Sequence, residues 1–191
     1  MNKIKILAFA GSLRKESTNK KTLRIAAAAA EAAGADVTVI DLKDYPLPIY
    51  DGDIESEKGL PENAQELQRI MLESQGLLIA SPEYNSSVTG ALKNMIDWTS
   101  RPDGDQKAGA CYDGKAAIMM SASPGNLGGL RGLFDVRKIL SAMGVIVLPD
   151  QVAVAHAYKA FDDDGKLLDE QVRKSVEGLG EKLADFLHKM A

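Results

Sequence analysis

Short apolar segments alternate with helix-forming segments along the whole chain. Apolar runs at residues 4–10, 77–80 and 116–120 are typical of strands buried on both faces of a parallel sheet. Two further strands are predicted at residues 36–40 and 145–148. Because helical patterns separate these strands, the sequence predicts an α/β fold with a doubly wound, five-stranded parallel sheet.

Five helices are predicted from apolar spacing and from residues that start or stop helices. The first, residues 19–33, is rich in alanine and is followed by Gly34, a typical helix stop. Others are predicted at residues 61–74, 91–98 and 130–143, and a terminal helix carries apolar residues at steps of three and four from Val172 to Met190. Residues 41–59 contain two prolines, Gly52 and many acids and are predicted to form a long irregular loop.

Composition limits the class of protein and its partners. There is no internal repeat and no linker-like segment, so residues 1–191 are expected to form a single domain. The net charge is −4, which disfavours nucleic acid as a partner, and the basic group Lys20, Lys21 and Arg24 is expected to be a solvated helix face. The only cysteine, Cys111, precludes an internal disulfide, and no segment is apolar enough for a signal core or a membrane span. A cytoplasmic location without membrane contact is expected.

The loop after the first strand, residues 11–19, leads directly into a helix. The amides at a helix N-terminus and the positive end of its dipole attract anions, so this loop suits a phosphate. Ser12, Ser17, Thr18 and Asn19 add neutral donors and Arg14 adds a charge. From the local residues alone, simple helix capping with a solvated Arg14 is an equal alternative.

The loop after the third strand combines a rigid proline, an aromatic ring and polar residues. Its sequence, SPEYNSS at residues 81–87, suits a planar polar ring that needs fixed backbone donors and an apolar surface. Local composition alone favours the alternative of an ordinary turn with Tyr84 at the surface.

The loop after the fourth strand, residues 121–129, consists of small residues and glycines that allow a ligand to approach the backbone closely. Alone, it could be any flexible connection. The carboxyl ends of parallel strands lie at one edge of the sheet, so the three loops are expected to meet there and form a ligand site.

Three segments of the chain, in their order and spacing, strongly resemble the NADPH-dependent FMN reductase family. They are GSLRKESTN at 11–19, SPEYN at 81–85 and GALKNMIDWTSRP at 90–102. The resemblance covers residues up to about Gly129 and implies a flavodoxin-like fold. It also implies FMN as cofactor, NADPH or NADH as co-substrate, and two-electron transfer by a ping-pong sequence to a small acceptor such as a quinone, chromate, an azo compound or free flavin.

The resemblance also implies which residues hold FMN. Those expected at the phosphate are Ser12, Arg14, Ser17, Thr18 and Asn19; those expected at the ring are Pro82, Glu83, Tyr84 and Asn85; those expected in the loop over the other side of the flavin are Ser121, Ala122, Ser123 and Gly125. Two positions depart from the family pattern. Glu16 replaces a common glycine and brings a negative charge near the phosphate, and Thr89 replaces a common proline.

No catalytic acid or base and no metal ligand is predicted, because flavin chemistry needs positioning rather than an acid–base pair. His188 is expected at the surface. His156 is expected outside the site, and a place at its rim is the less favoured alternative. Trp98 is expected in the core. The resemblance suggests that its helix, with Lys93, Asp97 and Arg101, also contacts a second subunit, so a homodimer or homotetramer is expected.

Two alternatives to an FMN-dependent reductase remain open at this point. One is an FMN-binding electron carrier without turnover of its own, although a flavodoxin proper usually has a Thr-rich phosphate loop and a more acidic surface. The other is a binding or regulatory module that keeps the fold without the flavin. The colour of the purified protein and its NADPH oxidation distinguish these alternatives from the reductase.

Overall fold

The computed structural model describes residues 3–191, so the first two residues of the predicted 1–191 domain lie outside the described part. Within that part the chain forms a five-stranded sheet, a two-stranded hairpin and six α-helices. In chain order the elements are β1 (Lys5–Ala10), α1 (Thr18–Ala32), β2 (Asp36–Asp41), α2 (Gly52–Lys58), α3 (Glu62–Leu72), β3 (Gly76–Ala80), β4 (Glu83–Tyr84), β5 (Ser87–Val88), α4 (Gly90–Thr99), β6 (Ala116–Ala122), α5 (Leu130–Ala142), β7 (Ile146–Val154) and α6 (Glu170–Met190).

The five long strands are all parallel and lie in the order β2-β1-β3-β6-β7. This is the order of the flavodoxin-like fold, and it reverses direction between β1 and β3. The predicted fold class is therefore confirmed. The reversal also places the carboxyl ends of β1 and β3 beside each other, where doubly wound sheets bind their ligands.

Side chains that alternate along each strand form two apolar cores, one on each face of the sheet. In β1, Ile6 and Ala8 pack with α1 and α6, whereas Leu7 and Phe9 pack with α3, α4 and α5. Because successive strand residues point to opposite faces, a strand covered by helices on both sides must be apolar throughout. This is why β1, β3 and β6 appear in the sequence as nearly continuous apolar runs.

The predicted irregular loop at residues 41–59 was wrong in part. Leu42–Asp44 forms a short 3-10 helix and residues 52–58 form α2, which has no buried residue. Asp51 caps α2 by accepting a hydrogen bond from the Asp53 amide at 2.9 Å. A short exposed helix lacks the apolar spacing by which helices are recognised in a sequence.

The fifth strand is longer than predicted. It continues past Pro149 to Val154 because the pairing shifts register between Ala117 and Met119 of β6. Proline is tolerated at a sheet edge or in a bulge, and β7 is an edge strand. Pro149 therefore lies within the strand, where the predicted strand had ended at residue 148.

Among residues 3–191, none of the helices combines the length and the apolar character needed to cross a lipid bilayer.

Candidate functional site

Three loops and the start of α1 line one cleft at the carboxyl edge of the sheet. The predicted residues in this cleft are Ser12, Arg14, Ser17, Thr18, Asn19, Pro82, Glu83, Tyr84, Ala122 and Ser123. Backbone hydrogen bonds fix the starts of two loops to the neighbouring strands: Gly11 donates to the Ala80 carbonyl of β3 at 2.9 Å, and Ser81 donates to the Met120 carbonyl of β6 at 2.8 Å. The predicted meeting of the three loops is thus observed.

The N-terminus of α1 lies at the cleft and has the geometry of an anion site. Ser17 is the N-cap and its hydroxyl accepts a hydrogen bond from the Lys20 amide at 3.5 Å. The amides of a helix's first turn have no acceptor within the helix, so those of Thr18 and Asn19 are suited to a bound anion. Ser12 is buried, whereas the Arg14 side chain is exposed at the same cleft and can add a positive charge.

Asn19 has a different contact from the one expected. Its side-chain amide donates to the Ala122 carbonyl at 2.7 Å, and its side-chain oxygen accepts from the Ala122 amide at 2.9 Å. The side chain therefore joins the start of α1 to the end of β6. The backbone amide of Asn19, in the first turn of α1, is suited to a ligand.

Lys20 corrects the predicted solvated basic face. Its side chain is 9% exposed, and its ammonium group lies 2.6 Å from the Asp41 carboxylate at the end of β2. Burial raises the pKa of Asp41, but the hydrogen bonds and charges of Lys20 and Lys43 outweigh it and hold the pKa below its ordinary value. Lys20 is thus part of the support of α1, while Arg24 is exposed as predicted.

Three predicted residues do not line the cleft. Ser121 is fully buried, and its hydroxyl donates to the Gly128 carbonyl at 2.6 Å. This hydrogen bond joins the two ends of the loop after β6. The Gly125 carbonyl accepts from the Gly128 amide at 3.1 Å. Asn85 is exposed at the tip of the β4–β5 hairpin and has a positive φ of 51°.

Two residues of the cleft were missed in the sequence. Pro124 lies within the predicted third loop, and Tyr158 comes from the connection between β7 and α6. The fifth strand was predicted to end at residue 148, and no role was assigned to Tyr158. A correct strand end at Val154 would have indicated a fourth loop at the site.

The cleft is small, with a cavity volume of about 60 Å³. Pockets that enclose a whole ligand usually measure about 300–1,000 Å³, so most of a nucleotide would lie outside this cavity. A larger cavity of about 770 Å³, near Lys107 and Gly144, lies before β6 and β7 at the opposite edge. The fold positions its strand-end loops at the smaller cleft.

The single cysteine and the two histidines of the chain do not line this cleft. Burial raises the pKa of the Cys111 thiol to about 12, and the thiol donates to the Thr99 carbonyl at 3.1 Å inside the core. His156 is exposed and does not line the cleft, and His188 lies in α6. Within residues 3–191 no group of three or more His, Cys, Asp or Glu side chains could hold a metal ion.

Comparison with known proteins decides the family. The family model described as NADPH-dependent FMN reductase matches residues 4–159. The chain belongs to this family. The predictions of an NAD(P)H-dependent oxidoreductase and of FMN as its cofactor are confirmed at the level of the family.

Relatives along the whole chain agree with this assignment. An NAD(P)H-dependent FMN reductase of Pseudomonas aeruginosa is 34% identical over 91% of this chain and 90% of its own length. A quinone reductase of Escherichia coli K12 is 30% identical over 98% of this chain and 97% of its own length. The solved structure of FerB, a flavoenzyme NAD(P)H:(acceptor) oxidoreductase from Paracoccus denitrificans, has a TM-score of 0.81 and 28% identity and covers 97% of this chain and 98% of its own.

Proposed function

We propose that this member of the FMN reductase family holds FMN in the cleft at the carboxyl edge of the sheet and transfers two electrons from NADPH or NADH to a quinone. The proposal includes chromate, azo compounds and free flavin as alternative electron acceptors. The observation that carries the proposal is the convergence of three strand-end loops on the N-terminus of α1.

The residues present fit the cofactor. The first-turn amides of α1, the hydroxyls of Ser12 and Ser17 and the guanidinium of Arg14 are suited to its phosphate. Pro82 and Tyr84 provide a stiff backbone and an aromatic surface for its ring.

When bound, FMN supplies a two-electron carrier that accepts hydride from NAD(P)H, and the chain supplies position and surroundings. The residues of the cleft hold the cofactor and leave the ring side accessible to small molecules. One open site that serves the reductant and the acceptor in turn gives ping-pong kinetics.

Steady-state kinetics of the FMN-reconstituted protein test the proposal. With 1,4-benzoquinone as acceptor and NADPH or NADH varied, we expect acceptor-dependent oxidation and parallel double-reciprocal lines. Arg14→Gln should weaken FMN binding, whereas Arg24→Gln, which changes an exposed arginine on α1, should not. FMN binding without oxidation of NADPH or NADH would contradict the proposal and favour an electron carrier.

We also propose that residues 1–191 act as one domain in the cytoplasm and assemble as a homo-oligomer through the surface around α4. The segment beside α4 supports this, because Ile49 is 85% exposed while the adjoining Tyr50 amide donates to Asn94 of α4 at 2.8 Å. Light scattering tests the assembly: a monomeric mass would contradict it.

A further inference from the structure

The β4–β5 hairpin carries part of the proposed ring site but is too short to hold its own shape. It consists of two residue pairs, Glu83 with Val88 and Tyr84 with Ser87. The turn residues Asn85 and Ser86 have positive φ angles of 51° and 67°, as a tight two-residue hairpin turn requires. Isolated hairpins of even greater length are only marginally stable in water. The position of this hairpin therefore depends on contacts outside it.

The main external contact is made by the carboxylate of Glu83. Its side chain is 8% exposed, and one oxygen accepts from two nitrogens of Arg131, Nε at 3.0 Å and Nη2 at 2.6 Å. The other oxygen accepts from the Gly132 amide at 3.0 Å. Arg131 and Gly132 lie in the first turn of α5, where the helix dipole also favours a negative charge. The carboxylate thus has three hydrogen bonds to one helix N-terminus.

A second contact attaches the other strand of the hairpin to the same helix. The Ser87 hydroxyl donates to the Asp135 carboxylate at 2.6 Å. Close packing accompanies it: a Cβ atom at Gly132 would lie 3.2 Å from the Ser87 carbonyl oxygen and 3.3 Å from the Glu83 Cβ. Both strands therefore lie directly on α5.

The loop that follows β6 leads directly into the start of α5 and packs against it. Gly129 caps α5 in a left-handed conformation with φ 92°, and a Cβ atom there would lie 2.9 Å from the Ser121 hydroxyl oxygen. Since this loop contributes Ser123 and Pro124 to the cleft, α5 supports two of the three site loops.

Glu83 is ionised at neutral pH. Burial raises the pKa of this carboxyl, but the hydrogen bonds from Arg131 and from the Gly132 amide outweigh it, and the pKa lies below its ordinary value of 4.5. The full charge is therefore present for Arg131 and for the helix N-terminus.

We propose that Glu83 is a positioning residue whose side chain clamps the hairpin onto the N-terminus of α5 and so sets the backbone of residues 82–85 against the flavin ring. The role in flavin binding rests on the proposed function, whereas the clamp itself does not. In this assignment the side chain of Glu83 acts through the backbone that it holds and does not take part in proton transfer.

Two measurements on the full chain test the proposal. Hydrogen exchange of the amides of residues 84–88, without FMN, reports on the clamp. Titration with FMN, together with the midpoint potential of the bound flavin, reports on the ring site. The variants are Glu83→Gln, which keeps the shape of the side chain, Arg131→Gln, Arg131→Lys and the double variant. Glu170→Gln is the matched control, since Glu170 forms an exposed ion pair with Lys174 on α6.

We expect Glu83→Gln to speed exchange in the hairpin and to weaken FMN binding about tenfold or more, in line with the loss of charged hydrogen bonds. The flavin potential should shift with it. Arg131→Lys should restore part of the affinity that Arg131→Gln loses, because it keeps the positive charge. The double variant should be no worse than the weaker-binding single variant, because both changes break the same contact.

Three results would overturn parts of the proposal separately. Unchanged exchange in Glu83→Gln and Arg131→Gln would overturn the clamp. Faster exchange with unchanged FMN affinity and potential would leave Glu83 a structural residue only and overturn its positioning role. No FMN binding by the unaltered chain would overturn the proposed function together with the positioning role, and the exchange result would still decide whether the clamp exists.

Discussion

A single hydroxyl, that of Thr89, connects the two loops at the reversal point of the sheet. It donates to the Gly11 carbonyl at 2.6 Å and accepts from the Leu92 amide at 3.3 Å as the N-cap of α4. The proline common at this position in the family could make neither contact. The departure from the family pattern therefore has a structural use here.

Replacing Thr89 by valine keeps its shape and removes both hydrogen bonds. We expect Thr89→Val to lower the free energy of unfolding by about 1–2 kcal/mol, the range for a lost helix cap and a buried hydrogen bond. Urea denaturation measures this. The matched control is Thr38→Val in β2, where the threonine is exposed and the change should be close to neutral. Equal stability of the two variants would contradict this role for Thr89.

The sequence predicted most residues of the cleft, but it did not predict their hydrogen-bond and ion-pair partners. The resemblance placed Asn19 at the phosphate, yet its side chain is bound to Ala122, 103 residues away in the chain. Such a pairing depends on where β6 ends relative to α1, and local sequence holds no sign of it. The same limit applies to Lys20 and Asp41, whose pairing follows from the position of β2 at the edge of the sheet.

At the scale of elements, helices and strands with a buried apolar face were predicted more accurately than exposed ones. The fully buried strands β3 and β6 and the long amphipathic helix α6 have strong apolar patterns and were predicted within a few residues. The exposed helix α2 and the short β4–β5 hairpin have no such pattern, since capping and contacts with other elements hold them in place. The end of β7 was misplaced because a proline at an edge strand resembles a strand stop.

The packing of α1 on α6 provides a prediction at this scale. A Cβ atom at Gly180 would lie 1.9 Å from the Ala26 carbonyl oxygen, so the two helices are in direct backbone contact there. Two residues earlier, Gly178 has no atom within 4 Å of a Cβ in the same position. The two glycines of α6 thus differ in surroundings while sharing a helix.

We expect Gly180→Ala to destabilise the protein by about 1–3 kcal/mol, because the added methyl group forces the helices apart. Gly178→Ala should instead stabilise it by up to about 1 kcal/mol, since alanine favours the helix and has room. Thermal and urea unfolding of the two variants measure the difference. Effects of the same sign would contradict the close contact at Gly180.

At the scale of the whole molecule, the cleft depends on parts of the chain that are distant in sequence. Its lining comes from the loops after β1, β3 and β6 and from the connection after β7, and each of these loops follows a strand fixed by the two cores. A ligand that binds all of them is expected to stabilise the fold as a unit, because it binds the folded chain and not the unfolded one. The alternation of strands and helices was enough to predict that the ligand site lies at the carboxyl edge of the sheet. The resemblance to a family was needed to predict which ligand binds there.

The stabilisation by FMN can be separated into its phosphate and ring parts. At an FMN concentration about 100 times its dissociation constant, the gain is about 2.7 kcal/mol. For a chain of this length, that corresponds to a rise in Tm of about 5–10 °C. Riboflavin has the same ring without the phosphate, so at the same concentration it should raise Tm much less. Arg14→Gln should reduce the rise with FMN while leaving the rise with riboflavin unchanged, as measured by thermal unfolding monitored by circular dichroism. Equal shifts with FMN and riboflavin in the unaltered protein would mean that the phosphate does not lie at the N-terminus of α1.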